Sequence, residues 1–90
     1  MAISVLFRPR GYTAKRHREA LKRLQAAGQD KPPGRLHHQA LARGETIEMV
    51  VDIWQSPTQL QAFATHLMPI LGELGVEPSE PEFYDSILLD

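Results

Sequence analysis

The stretch RLHHQALARGETIEMVVDIW, residues 35–54, decides how the chain folds. Two runs rich in β-formers flank Gly44-Glu45, so residues 35–42 and 46–54 are expected to be strands of a hairpin. If Gly44 supplies the positive φ of a two-residue turn, Arg43 pairs with Thr46. Pairing then continues as Leu41–Glu48, Ala40–Met49, Gln39–Val50, His38–Val51, His37–Asp52, Leu36–Ile53 and Arg35–Trp54. This register gives one face of Leu36, His38, Ala40, Met49, Val51 and Ile53. The other face carries Arg35, His37, Gln39, Leu41, Glu48, Val50, Asp52 and Trp54. A one-residue slip that sets Leu36 against Asp52 and Ala40 against Glu48 separates the faces less well.

Working outward, Ser56-Pro57-Thr58-Gln59 has the form of a capping box with proline at the first helical position. Leu60, Phe63, Leu67, Ile70, Leu71 and Leu74 follow at helical spacing, Pro69 should kink the helix, and Gly75 stops it. Upstream, Ile3–Arg8 reads as a strand ended by Pro9 and Gly11. Thr13 caps a helix that closes at Gly28, with Ala14, His17, Leu21 and Leu24 on its apolar face. Downstream, Phe83–Leu89 reads as a last strand after the Pro78–Pro81 linker. The order β-α-β-β-α-β predicts one α+β domain spanning residues 1–90: a ferredoxin-like four-stranded antiparallel sheet with both helices on one face. The opposite face, with Leu41, Val50 and Trp54, then lacks a cover and calls for a second copy of the chain.

The bulk composition narrows the function classes. The chain has 90 residues, 42% of them hydrophobic and 23% charged, with no cysteine. That is one ordinary globular domain without disulfides, thiolate metal sites or a cysteine nucleophile. No run reaches membrane-spanning length, and Met1–Phe7 lacks a basic leader, so a cytoplasmic protein is expected. Net charge is −1, yet residues 1–37 carry +7 and residues 38–90 carry −8. A basic first helix is compatible with an anionic partner, but a solvated helix face opposite acidic segments of the same fold is the simpler reading. The central strands have no aromatic run of the kind that stacks on RNA, so no nucleic acid is expected as a partner.

The segments Gly34–Ala40, Val50–Ser56, Leu67-Met68-Pro69 and Gly75–Pro78 resemble the dimeric α/β-barrel superfamily, in particular its antibiotic biosynthesis monooxygenase-like small proteins. That resemblance implies a face-to-face dimer of sheets and a ligand cavity between sheet and helices in each subunit. Among the activities it implies are cofactor-independent monooxygenation of phenolic polycyclic compounds, isomerisation and cyclisation. The Trp and His used by haem-degrading members fall near Phe63 and Glu73, so haem degradation is not expected here.

Candidate chemistry centres on histidine. His38 from the sheet and His17 from the first helix should project into the cavity as catalytic residues, where an imidazole kept neutral by burial can deprotonate a phenol or an acidic carbon. His66, Tyr84, Phe63 and Met49 are candidate substrate-binding residues. Trp54, Arg35, His37 and Asp52 are expected at the dimer interface. No cofactor and no metal are expected: His37 and His38 are adjacent on a strand and point to opposite faces, and no HxH or HExxH spacing occurs. The expected ligand is a small apolar, aromatic or polyketide-like molecule. A non-catalytic dimer that binds a metabolite or a partner protein is the alternative, and a packed interior would favour it.

Overall fold

The computed structural model describes residues 2–87. Strand β1 (Ile3–Phe7) leads to helix α1 (Ala14–Ala26), the hairpin β2 (Arg35–Arg43) and β3 (Thr46–Trp54), helix α2 (Pro57–Glu73) and strand β4 (Glu82–Asp85). The sheet is antiparallel throughout in the order β2-β3-β1-β4. This is the ferredoxin-like α+β fold that the element order predicts. Residues 88 and 89 of the expected last strand lie outside the described residues.

Local chemistry sets the helix starts. Thr13 Oγ1 accepts the backbone N–H of Arg16, and Ser56 Oγ accepts that of Gln59, each satisfying one of the orphan donors of a first turn. Gln59 completes its half of the box by accepting the Ser56 hydroxyl at 3.1 Å instead of reaching back to the Ser56 backbone. Helix α2 continues through Pro69, whose ring sits on the exposed side. The charge asymmetry is partly closed within the fold: Arg23 of α1 reaches Glu73 of α2 at 2.8 Å, and Arg8 reaches Glu82 at 3.1 Å. Both pairs are solvent-exposed and contribute little to stability.

The hairpin departs from the expected register in one instructive way. Its two ends pair as predicted, Arg43 with Thr46 and Arg35 with Trp54. Ala42 and Ile47 keep the same register, but from His37 to Leu41 the pairs are shifted by one: His37 faces Ile53, His38 faces Asp52, Gln39 faces Val51, Ala40 faces Val50 and Leu41 faces Met49. The shift enters at Glu48 and leaves at Leu36, each an extra residue without a partner, so two bulges on opposite strands cancel. The bulge at Glu48 lets Ile47 and Val50, three residues apart, both be buried.

A consequence is that β3 is turned over relative to the expectation. Val50, Asp52 and Trp54 face the helices, in line with Phe7, Val5 and Ile3 of β1. Val5, Leu24, Trp54, Leu60 and Phe63 form the main core, and Tyr12, Ile47, Val50 and Val76 form a second cluster beside it. The outer face carries Leu6, Met49, Val51 and Ile53, with Leu36 and Leu41 exposed.

Candidate functional site

A cavity of about 350 Å³ lies between the sheet and the two helices. Its walls are mostly apolar, with Phe7, Leu24, Val50, Leu60, Phe63, Leu67 and Phe83 among them. Polar side chains interrupt those walls, among them the ionisable groups Tyr12, His17, Arg35, His38 and Asp52.

The backbone explains why these groups meet. Gly11, at φ 72°, turns the chain after β1, and the segment that follows pairs with the start of β3. Ile47 N–H donates to Tyr12 C=O at 3.0 Å, and Ala14 N–H donates to Glu45 C=O at 2.9 Å. Tyr12 is thereby held inward at 7% exposure, one turn before His17 on α1. The paired bulges do the same for the sheet, setting His38 directly across from Asp52 on the inner face.

The polar groups form a chain of contacts. Trp54 Nε1–H donates to Asp52 Oδ2 at 3.2 Å, and His38 Nδ1 meets Asp52 Oδ1 at 2.5 Å. The His38 and His17 rings stack with centroids 6.1 Å apart and planes 29° from parallel. Tyr12 Oη lies 2.6 Å from His17 Nδ1, with the rings edge to face. Asp52 is 4% exposed, yet both its oxygens are satisfied, which is the condition for keeping a carboxylate inside.

These partners assign the protons. An ionised carboxylate only accepts, so His38 Nδ1 carries a hydrogen, and in the neutral ring it is Nε2 that presents the lone pair. Burial, and secondarily the Asp52 charge, push the Tyr12 phenol up to about 12. Tyr12 is therefore protonated and donates to His17 Nδ1, which leaves the neutral His17 ring with its hydrogen on Nε2. Burial, His38 and Arg18 all hold His17 below the usual imidazole range, in that order of importance. The stacked rings thus have opposite polarity: His38 offers an acceptor and His17 a donor.

Not every expected site residue is brought here. His17, His38 and Phe63 line the cavity. Met49 does not: the bulge at Glu48 turns it to the outer face, where it pairs with Leu41. Tyr84, 58% exposed, sits outside beside Ser4 and reaches Glu82 at 3.4 Å. His66 borders a separate hollow of about 110 Å³ with Gln29, Pro32 and Gln59. Trp54, Asp52 and Arg35 leave the outer face on which the expected register put them. Trp54 is fully buried against Phe63, with ring centroids 5.5 Å apart, and Arg35 lies over the Phe63 ring instead of the indole. His37 stays on the outer face and meets Gln39 at 3.3 Å, not Asp52. Tyr12 is the site residue that sequence reasoning missed, since a tyrosine one residue before a helix cap carries no periodic signal. Among the described residues, no group of three or more His, Asp or Glu side chains is arranged to hold a metal ion.

Solved structures share this architecture. SnoaB, a cofactor-independent oxygenase from Streptomyces nogalater, superposes with a TM-score of 0.62 at 14% identity, over 98% of this chain and 95% of that one. The fold is that of the antibiotic biosynthesis monooxygenase-like proteins. A candidate antibiotic biosynthesis monooxygenase from Chloroflexus aurantiacus is similar at a TM-score of 0.61 and 12% identity, covering 100% and 97% of the two chains. A candidate monooxygenase from Shewanella loihica is 23% identical, with a TM-score of 0.57 and coverage of 98% and 96%. No protein-family model matches the chain, and no curated protein matches it in sequence. What this chain shares with the monooxygenase-like proteins is therefore the fold, and its chemistry has to be argued from its own residues.

Proposed function

We propose that this protein is a homodimeric, cytoplasmic, cofactor-independent enzyme that removes a proton from a small, largely apolar aromatic or polyketide-like substrate. The observation that carries the reading is an apolar cavity into which a His38–Asp52 pair presents one imidazole lone pair. Asp52 fixes the ring and its tautomer, so His38 Nε2 is the base. His17, set in the opposite tautomer by Tyr12, donates to the oxygen on which negative charge develops. The mostly apolar walls leave few polar groups to compete with either interaction.

What happens to the carbanion defines the reaction class. Meeting oxygen, it yields a hydroperoxide that loses water, so a CH₂ group becomes a carbonyl with one oxygen atom in the product and one in water. Reprotonated elsewhere, it gives an isomer, and attacking an internal carbonyl, it gives a ring. The SnoaB likeness favours the oxygenase outcome. The dimer rests on the outer sheet face, where Leu6, Met49, Val51 and Ile53 lie beside Leu36 and Leu41, which are 57% and 41% exposed. A second copy applied face to face buries this surface.

The test is deuterium exchange at the acidic CH₂ of 2-tetralone in D₂O, followed by proton NMR, with oxygen uptake recorded in parallel. The wild-type protein should accelerate exchange, and His38→Ala should abolish the acceleration while sedimenting like wild type. Exchange at an undiminished rate in His38→Ala removes His38 from the mechanism.

A further inference from the structure

The cavity contains one charged side chain that the proton-transfer reading does not use. Arg35 lines it from the first residue of β2, on the same sheet face as His38. It is half-buried, and its guanidinium lies 5.5 Å from the centre of the Phe63 ring. The one hydrogen bond of its side chain among the described residues is from Nη2 to the backbone oxygen of Asp30 at 3.2 Å, which brings no negative charge. No carboxylate comes within ion-pairing distance of it among the described residues, although Arg8 and Arg43 each have one and Arg23 has two. Among the described residues Asp52 is the only acid on the cavity wall, and its two oxygens already serve His38 and Trp54.

A guanidinium held against an aromatic ring keeps several donors in a fixed fork, which matches a carboxylate better than any neutral group. From the register, Arg35 stands across from Trp54 and His38 across from Asp52, two residues apart along β3. That separates the two positions by about 7 Å along the strand, roughly the length of a two-ring aromatic frame.

We propose that Arg35 is a specificity residue that selects anionic aromatic ligands, binding a carboxylate at one end of the molecule while the opposite, proton-bearing end meets His38 and His17. The inference rests on the cavity of the reading above and names its substrate class, but it does not depend on any proton being removed.

The test is calorimetric titration with 6-hydroxy-2-naphthoate and its neutral carboxamide, which differ in charge and hardly in shape. Wild-type protein should bind the carboxylate about tenfold or more tightly than the amide, as expected for a charge-assisted fork contact. Arg35→Gln should bind the two equally, and Arg35→Lys should retain part of the preference. His38→Ala should keep the full preference, so loss of turnover with retained selectivity separates this inference from the proposed chemistry. Should Arg35→Gln not fold, the Arg35 Nε–H resonance of the wild-type protein gives the same answer: it should move on adding the carboxylate and stay with the amide. A wild-type protein with no preference for the carboxylate, absence of binding by either probe included, overturns the inference. So does a preference that survives in Arg35→Gln, or an Arg35 resonance that ignores the carboxylate.

Discussion

Asp52→Asn is the sharpest perturbation of the candidate site, because it removes a charge and adds one donor without changing size. The native carboxylate accepts from His38 Nδ1 at 2.5 Å and from Trp54 Nε1 at 3.2 Å. A carboxamide has a single acceptor oxygen and an NH₂ that only donates. Trp54 can only donate and is fully buried, so it claims the oxygen of the new amide. The NH₂ then faces His38 Nδ1, which must become an acceptor, and the ring hydrogen moves to Nε2. The cavity loses its base and gains a second donor. A hydrogen bond to a charged group contributes about 1.5–3 kcal/mol, so the native tautomer ratio is roughly 10 to 150 in favour of Nδ1–H, and the variant reverses it. Positioned general bases contribute about 10²–10⁴-fold, so exchange and turnover should fall by that order. Long-range ¹⁵N–¹H correlation spectra report the tautomer directly and need no substrate. If His38 in Asp52→Asn still carries its hydrogen on Nδ1, or if the wild-type ring carries it on Nε2, the proton assignment argued from the geometry is wrong.

The other expectations concern the rest of the polar chain and the outer face. Trp54→Phe should cost about 2–4 kcal/mol in urea unfolding, since it empties part of a fully buried volume and strips one partner from a buried carboxylate. Tyr12→Phe should remove the phenolate absorbance step at about pH 12 and let the neutral His17 ring populate both tautomers. Because His17 is held below its ordinary value of 6.5, the unfolded chain binds its proton more readily than the folded one. Its contribution to stability is therefore complete above about pH 6.5 and is lost as pH falls below that, levelling off once the folded ring is protonated. Melting temperatures measured from pH 7.5 down to 5 should show this decline, and His17→Gln should flatten it. Leu41→Arg should yield monomers in sedimentation velocity with an unchanged far-ultraviolet spectrum. A variant that still sediments as a dimer would place the interface elsewhere.

The element order was legible because each boundary has a local cause. Thr13 and Ser56 cap, Gly44 turns the hairpin at φ 56°, and Gly75 follows α2 at φ 78°. None of these depends on what lies across the fold. The facing of β3 was not legible, because two different arguments use the same residues. Met49, Val51 and Ile53 are as apolar as Val50 and Trp54, so the alternation itself is neutral. Separating polar from apolar cross-strand partners groups Glu48 and Asp52 on the outer face, away from the core, which is the usual place for an acid. Glu48 obeys that rule by bulging out, whereas Asp52 breaks it. The register error carried Trp54, Arg35 and Met49 to the wrong faces at once, since a one-residue slip inverts every side chain on a strand.

The inverted strand and the candidate site have one cause. A buried carboxylate is tolerated only when donors surround it, and the donors here, His38 and Trp54, come from two strands. Without the bulges at Leu36 and Glu48, His38 would face Val51 and Asp52 would face His37 on the opposite side of the sheet, and neither contact would form. The ends of the hairpin are nonetheless in the plain register, so the irregularity is confined to the four or five residues around the pair. Bulges that cancel within one hairpin do nothing for the hydrogen-bond ladder, which they interrupt twice. Their benefit to the fold lies in the local inversion, and what that inversion brings together is an acid, an imidazole and an indole beside an open apolar cavity. Removing the bulge therefore separates packing from chemistry. Deleting Glu48 should restore simple alternation through β3, pull Ile47 or Val50 out of the core, and melt the second core cluster with Tyr12 and Val76. A Glu48-deleted chain that folds with wild-type stability and keeps the His38 Nδ1–H tautomer would show that the pair does not depend on the bulge.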